Sequence, residues 1–181
     1  NETKQGPLAD FSMTDKDRYE LKIAGLLHDC GKVTTPVHVV DKATKLQTLF
    51  DRIHLVDTRF EVLKRDAQLA MLKAKLALRD SHDDQRKSPW DARAEAALDE
   101  DLARHLHQIE SDREFLRQSN VGSELMTPED QERVKRIGTG YRWIGVDGKS
   151  ANFLSDDELE NLNIRAGTLT QKERETINYH I

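Results

Sequence analysis

The stretch Ile23-Ala24-Gly25-Leu26-Leu27-His28-Asp29-Cys30-Gly31-Lys32 decides both the fold and the candidate chemistry of this chain. An apolar helical run precedes a histidine and an aspartate that are neighbours in sequence. Such a pair can bind one metal ion through an imidazole nitrogen and a carboxylate oxygen, and the second carboxylate oxygen can bridge to another ion. Lys32 follows His28 by four residues and can face a phosphate near the same site. We therefore expect a buried helix whose end presents a metal-binding pair.

Simpler interpretations of the same residues remain open. A His-Asp pair at a helix end also serves as a cap or an ion pair. Lys32 can act as a cation near a helix C-terminus, where it is favoured by the helix dipole. We interpret Cys30, the single cysteine, as a small buried filler rather than a reactive thiol.

Composition narrows the class of protein. The chain has 181 residues, enough for one domain or a domain with an appendage. A net charge of −5 disfavours nonspecific binding to a nucleic acid polymer. No apolar run approaches the roughly 20 residues that span a bilayer, and one cysteine fits a reducing compartment. We therefore expect a cytoplasmic segment without membrane contact. Because it begins at Asn1 and stops at Ile181 within a predicted helix, we interpret it as part of a larger protein.

Periodicity predicts an all-α fold that contains a long helical hairpin. Thr14 with Asp17 is typical of a helix start, and Gly31 is the expected stop. A second helix is expected over about 91–118, antiparallel to a first whose apolar positions form a heptad seam that narrows to alanine. The steps of that seam alternate between four and three residues, at Val56, Phe60, Leu63, Ala67, Ala70, Ala74 and Ala77.

The last third of the chain shows shorter elements. Thr127-Pro128 begins a helix that should end near Gly138. Asp147-Gly148 favours a tight turn, so a small β-hairpin is expected between 141–146 and 151–154. Ser155 and Thr170 are expected to cap two further helices.

The His-Asp stretch, followed by Pro36, Val39, Lys42 and Lys45-Leu46, resembles the HD superfamily of metal-dependent phosphohydrolases. The closest resemblance is to the HD-GYP domain of bacterial cyclic di-GMP phosphodiesterases. The tail Gly167-Thr168-Leu169-Thr170-Gln171-Lys172-Glu173-Arg174-Glu175-Thr176-Ile177-Asn178-Tyr179-His180 resembles the segment that supplies a later metal-binding histidine. The resemblance covers roughly residues 14–50 and 164–181, and we interpret the stretch between them as a long insertion.

The resemblance implies a site and a cofactor. It implies that His28, Asp29 and His180 are metal ligands, and that Asp29 and Lys32 are the catalytic residues, with Lys32 near the scissile phosphate. The implied cofactor is a divalent metal, with iron or manganese favoured. The implied substrate is a cyclic dinucleotide or another phosphate ester.

The chain also departs from the family pattern. It lacks the ligand that the family carries on a preceding helix, and it lacks the later histidine pair, Gly-Tyr-Pro signature and aspartate. Gly138-Thr139-Gly140-Tyr141 imitates the signature, but Arg142 stands where proline is expected. We therefore expect that this segment alone is inactive.

The predicted organisation has four regions. Residues 1–50 would be the N-terminal part of an HD-type core, 51–126 the helical-hairpin insertion, 127–163 a connection and 164–181 the start of a returning core helix.

Three functions remain open for this organisation. The first is a signalling phosphodiesterase for cyclic di-GMP, with its active site completed outside this chain. The second is an HD phosphohydrolase that acts on another nucleotide, such as a guanosine alarmone or a deoxynucleotide. The third is a degenerate, non-catalytic HD domain that serves signalling or dimerisation. A homodimer through the hairpin is compatible with all three.

Overall fold

A computed structural model of the chain describes residues 5–7, 9–80, 89–145 and 147–179, with the side chains of 89–91 excluded. These residues form seven α-helices, one 3-10 helix and a two-stranded antiparallel sheet, so the all-α prediction with a small β element is confirmed. The elements are α1 (Asp15–Leu27), a 3-10 helix (Cys30–Thr34), α2 (Val37–Val40), α3 (Ile53–Asp80), α4 (Pro89–Val121), α5 (Pro128–Gly140), β1 (Arg142–Ile144), β2 (Ser150–Asn152), α6 (Asp156–Leu162) and α7 (Gln171–Asn178).

The chain divides into two compact units. The first unit comprises Asn1–Asp41 and Gln171–Ile181 and carries the His-Asp motif. The second unit comprises Lys42–Thr170 and contains the helical hairpin. The division into four regions with boundaries at 50, 126 and 163 stays a prediction.

A capping box of Thr14 and Asp17 begins α1, as its sequence predicts. The Asp17 N–H donates to Thr14 Oγ1 at 3.2 Å, and the Thr14 N–H donates to the Asp17 carboxylate at 2.8 Å. The bonds from the Thr14 backbone and hydroxyl hold the pKa of Asp17 below its ordinary value. The end of the helix differs from the prediction, because α1 stops at Leu27 and Gly31 continues into the 3-10 helix without a positive φ. A left-handed glycine therefore does not terminate α1.

Helices α3 and α4 form the predicted antiparallel hairpin. Val56, Phe60 and Leu63 of α3 are buried with Ile109 and Leu116 of α4. Ion pairs follow the two arms in antiparallel order, at Asp57–Arg113, Lys64–Glu110, Lys75–Asp99 and Arg79–Glu95. Residues 81–88, which connect the two arms of the hairpin in sequence, lie outside the described residues.

The prediction that the alanines of the seam lie between the two helices is only partly correct. Ala67 and Ala74 are half-buried, whereas Ala70 and Ala77 are exposed. A straight α-helix drifts by about 20° per heptad relative to a 3.5-residue repeat. Residues spaced strictly by four and three therefore rotate away from the side of α3 that contacts α4. At the end of the series, Leu78 is half-buried, whereas Ala77 is exposed.

The drift gives a paired prediction. Ala67→Glu is expected to lower the free energy of unfolding by about 1–3 kcal/mol, because its carboxylate would be desolvated between the helices. Ala70→Glu is the matched control and should change stability little, since Ala70 is exposed. Thermal melting followed by circular dichroism measures both variants. Equal melting temperatures for the two would contradict this description of the seam.

A charged cluster reinforces the hairpin at its base. The Asp57 carboxylate accepts hydrogen bonds from Arg113 Nε at 2.9 Å and from Arg117 Nη2 at 2.8 Å. Burial alone would raise the pKa of Asp57, but the bonds from Arg117 and Arg113 hold that pKa below its ordinary value. Asp57 is 8% exposed, so its charge is stabilised mainly by these two guanidinium groups.

The helix that contains the imitated signature is built for close packing. A capping box of Thr127 and Asp130 begins α5, which packs against α6. A Cβ at Gly138 would lie 2.6 Å from Leu159 Cδ2, so glycine allows this approach. Gly138-Thr139-Gly140-Tyr141 is therefore the end of α5, and its first glycine has a packing role.

Two lysines in the loop between α2 and α3 are buried. Lys42 Nζ donates to Asn161 Oδ1 at 2.9 Å, and Lys45 Nζ donates to the Leu162 carbonyl at 3.2 Å and to Met126 Sδ at 2.8 Å. Lys45 is 0% exposed. Burial lowers the pKa of Lys45 from its ordinary 10.5 to about 8, against an opposing effect of the Asp130 charge. The two side chains connect this loop to the end of α6.

The lowered pKa of Lys45 predicts how stability depends on pH. Above pH 8 the folded chain loses this proton while the unfolded chain keeps it up to about pH 10.5. The free energy of unfolding should therefore rise through this window, by up to about 3 kcal/mol. In Lys45→Met that contribution should vanish, and the variant should unfold at higher urea concentration at pH 7. Lys149→Met, at an exposed lysine, is the control for the titration of other groups. Parallel stability–pH curves for wild type and Lys45→Met would contradict the prediction.

Candidate metal centre

The His-Asp motif lies at the junction of α1 and the 3-10 helix. His28 caps the C-terminus of α1, and Asp29 immediately precedes Cys30. The side chains of His28 and Asp29 are 67% and 49% exposed. Cys30 is exposed as well, so its interpretation as a buried filler is wrong. The motif is therefore accessible to ions and ligands in solution.

The helix that carries the motif is not buried. No residue of α1 is buried, and Tyr19, Leu26 and Leu27 are between 56% and 66% exposed. The expectation of a buried helix is thus wrong for the described residues. The other described helices of this unit have 5, 4 and 8 residues, and they leave the apolar side of α1 exposed.

The two candidate ligands point to the same place. His28 Nε2 lies 3.3 Å from Asp29 Oδ2. Two donors that bind one ion through bonds of about 2.1 Å at near-right angles are separated by about 3 Å. A divalent ion could thus contact both atoms with little rearrangement.

A backbone carbonyl selects the tautomer of the imidazole. His28 Nδ1 lies 2.7 Å from the Gly25 carbonyl oxygen, which only accepts hydrogen bonds. The proton of a neutral ring is therefore held on Nδ1, and Nε2 keeps its lone pair for a metal. Metal-binding histidines in proteins almost always make such a bond through the other ring nitrogen.

Lys32 contacts the carboxylate rather than open solvent. Its Nζ lies 2.7 Å from Asp29 Oδ1, the oxygen that was expected to bridge to a second ion. The lysine is 44% exposed, and its flexible side chain can leave this contact. The structure therefore brings three predicted site residues together, with Lys32 on the bridging side of Asp29.

The fourth predicted site residue, His180, lies outside the described residues. Within the part of the chain that the structure describes, no group of three or more His, Cys, Asp and Glu side chains could hold a metal ion. His28 and Asp29 thus fit a metal as two of its ligands, and further donors are needed to complete a site.

Sequence reasoning missed residues whose role depends on a backbone carbonyl or on contacts far along the chain. Gly25 supplies a carbonyl that any residue could supply, so its type carries no signal. The residue types of Lys42 and Lys45 do not predict their burial, which depends on partners far along the chain. Tyr141 donates from its hydroxyl to Asp112 Oδ2 at 2.9 Å, and burial followed by this bond raises its pKa.

Comparison with known proteins identifies the family of the chain. The HD domain model matches residues 7–129, which is more than half of the chain and includes His28, Asp29 and Lys32. No curated protein and no solved structure matches the chain. In the described part, no helix is both long enough and apolar enough to cross a membrane. The chain belongs to the HD domain family, whose members are metal-dependent phosphohydrolases.

Proposed function

We propose that this chain contributes the metal-binding segment of an HD-GYP-type phosphodiesterase that hydrolyses cyclic di-GMP. The observation that carries the proposal is the convergence of His28 Nε2 and Asp29 Oδ2 at 3.3 Å, with Lys32 on the same carboxylate. The resemblance of residues 23–46 and of the tail 167–180 to that subgroup supports the substrate class.

His28 and Asp29 would hold the ion in this proposal. The Gly25 carbonyl keeps the ring proton on Nδ1, and this leaves the Nε2 lone pair directed at the site. When bound, a divalent ion lowers the pKa of a water ligand and polarises a phosphoryl oxygen. The exposure of both side chains leaves room for a nucleotide.

Lys32 would recognise the phosphate. The lysine at present neutralises Asp29, and the carboxylate would be released when the ammonium turns towards an anionic phosphodiester. Its three donors can follow the phosphate oxygens as negative charge increases on them during hydrolysis. Lys32 would therefore act on the substrate, whereas Asp29 acts on the metal.

Further donors would come from elsewhere in the HD core. His180 is proposed as one of them, because it follows α7 (Gln171–Asn178) in the segment that resembles the family's later histidine ligand. The exposed residues Tyr19, Leu26 and Leu27 would be the surface of α1 on which additional core helices pack. Such packing would also bury the motif and strengthen its electrostatic interactions.

A non-catalytic role is the second candidate, and it rests on a specific observation. Lys32 lies on the oxygen of Asp29 that two-metal chemistry requires, and the described residues supply no third ligand. A chain that kept this arrangement in the complete protein would be a degenerate HD domain.

Metal analysis and hydrolysis assays on the complete protein test the proposal. The protein would be loaded anaerobically with Fe²⁺ or Mn²⁺ and then assayed with cyclic di-GMP, a guanosine alarmone and a deoxynucleoside triphosphate. Release of linear dinucleotide or GMP, dependent on the metal, supports the proposal. Turnover of one of the other nucleotides alone would instead establish a different HD phosphohydrolase. Absence of both bound metal and turnover would leave the degenerate role.

A further inference from the structure

The outer face of α3 carries an apolar stripe that the hairpin does not cover. Leu69, Leu72 and Leu76 are 50%, 53% and 58% exposed. They follow one another at steps of three and four residues, the spacing of a coiled-coil seam. Leu55 and the half-buried Val62 extend the same heptad series towards the start of the helix. We call the stripe of Leu69, Leu72 and Leu76, with its extension to Val62 and Leu55, the outer seam.

The outer seam is separate from the seam that binds α4. At 100° per residue, Leu69, Leu76 and Leu72 lie about 180°, 160° and 120° around the helix from Phe60, which faces the core. Phe60 is 0% exposed. The two apolar stripes therefore lie on opposite sides of α3, and α4 cannot cover both.

The charges beside the outer seam are self-complementary. Asp66 and Lys73 lie seven residues apart on the same flank of the seam, and both are exposed. Neither forms an ion pair with another residue in the described part of the chain. In an antiparallel pair of such helices, residues on one flank meet residues on the same flank of the other copy. Asp66 of each copy then meets Lys73 of the other.

The same antiparallel register also matches the leucines. When the two-fold axis passes between Leu69 and Leu72, Leu69 of one copy packs beside Leu72 of the second copy. Leu76 then packs on the aliphatic part of Arg65 of the second copy, which is exposed. A parallel pair would place Asp66 and Lys73 against the other flank and lose both ion pairs.

We propose that the occupant of the outer seam is a second copy of this chain, bound through an antiparallel α3–α3 contact. The register is set by the Leu69–Leu72 layer and by two symmetric Asp66–Lys73 ion pairs. Such an isologous contact closes as a dimer. It is independent of the metal centre and of the proposed function.

Sedimentation equilibrium of this chain over a range of concentrations tests the proposal. A reversible dimer is expected, and Leu72→Glu should raise its dissociation constant by more than about 100-fold because a carboxylate would enter the seam. Leu49→Glu is the control, because Leu49 is 91% exposed and lies outside α3. Circular dichroism verifies that each variant keeps its helices. A monomer at all concentrations, or equal weakening by the control, would overturn the proposal.

Charge reversal tests the register itself. Asp66→Lys and Lys73→Asp should each weaken the dimer about tenfold, since two attractive pairs become repulsive. The double variant Asp66→Lys/Lys73→Asp should restore the wild-type dissociation constant, because the pairs re-form with exchanged signs. Failure of the double variant to recover would refute the antiparallel register. Binding of an unrelated protein to the seam, with no self-association, would also overturn the proposal.

Discussion

Under the proposed function, Asp29→Asn in the complete protein is expected to lose its divalent metal and to slow phosphodiester hydrolysis by about 1000-fold or more. The substitution keeps the size of the side chain but removes the charge that lies between His28 and Lys32. A neutral amide is a weaker ligand for a divalent ion, and it cannot bridge two ions in the way a carboxylate does. Elemental analysis of the purified variant measures the metal, and a product assay measures the rate.

Two comparisons make the Asp29 result interpretable. Asp10→Asn changes the same chemistry at an exposed aspartate outside the motif and should keep both metal and activity. Lys32→Met should retain the metal while hydrolysis falls, because the proposed partner of Lys32 is the phosphate. Full metal content in Asp29→Asn would exclude Asp29 as a ligand, whatever the activity.

Phe60→Ala is expected to lower the free energy of unfolding by about 4 kcal/mol, a large fraction of the stability of a typical domain. Phe60 is 0% exposed, and its ring centroid lies 4.5 Å from that of Phe153 and 6.3 Å from that of Tyr141. Removal of the ring leaves a cavity where α3, β1 and the segment before α6 meet. Equilibrium unfolding in urea measures the change.

A conservative variant separates the cavity from the loss of ring contacts. Phe60→Leu fills most of the volume and should cost less than half as much as Phe60→Ala. A loss below about 1 kcal/mol in Phe60→Ala would mean that this cluster is not the core of the second unit. In that case the Tyr141 hydroxyl, which donates a hydrogen bond to Asp112, should have the same environment in Phe60→Ala as in the wild type.

Elements that depend on near neighbours could be predicted from the sequence. Capping boxes at Thr14, Thr127 and Ser155 begin helices as expected. The connection 145–149, which contains Asp147-Gly148, joins two short strands as expected, although it is longer than a two-residue turn, and Gly148 has a positive φ of 76°. These features involve residues no more than about four positions apart, so their signals are contained in short stretches of sequence.

Features that depend on burial could not be predicted from short stretches of sequence. The side chain of Lys45 is buried by partners 81 and 117 residues away, and Lys42 reaches a partner 119 residues away. Ala70 matches the heptad pattern but is exposed, because the straight helix drifts away from the strict repeat. The pattern of α1 predicted a buried face, yet burial requires a covering surface that the described part of its unit does not contain.

The candidate site shows the same division. The adjacency of His28 and Asp29, their place at a helix end and the family to which they belong followed from the sequence itself, because these properties are local. The tertiary structure decided the solvent exposure of the motif, whereas the contacts of His28 with the Gly25 carbonyl and of Lys32 with Asp29 span only three residues and depend on side-chain rotamers. It also decided that the outer seam of α3 stays uncovered. Side-chain rotamers and solvent exposure arise from the whole packed chain, whereas chemical type and spacing are present in every short segment of it.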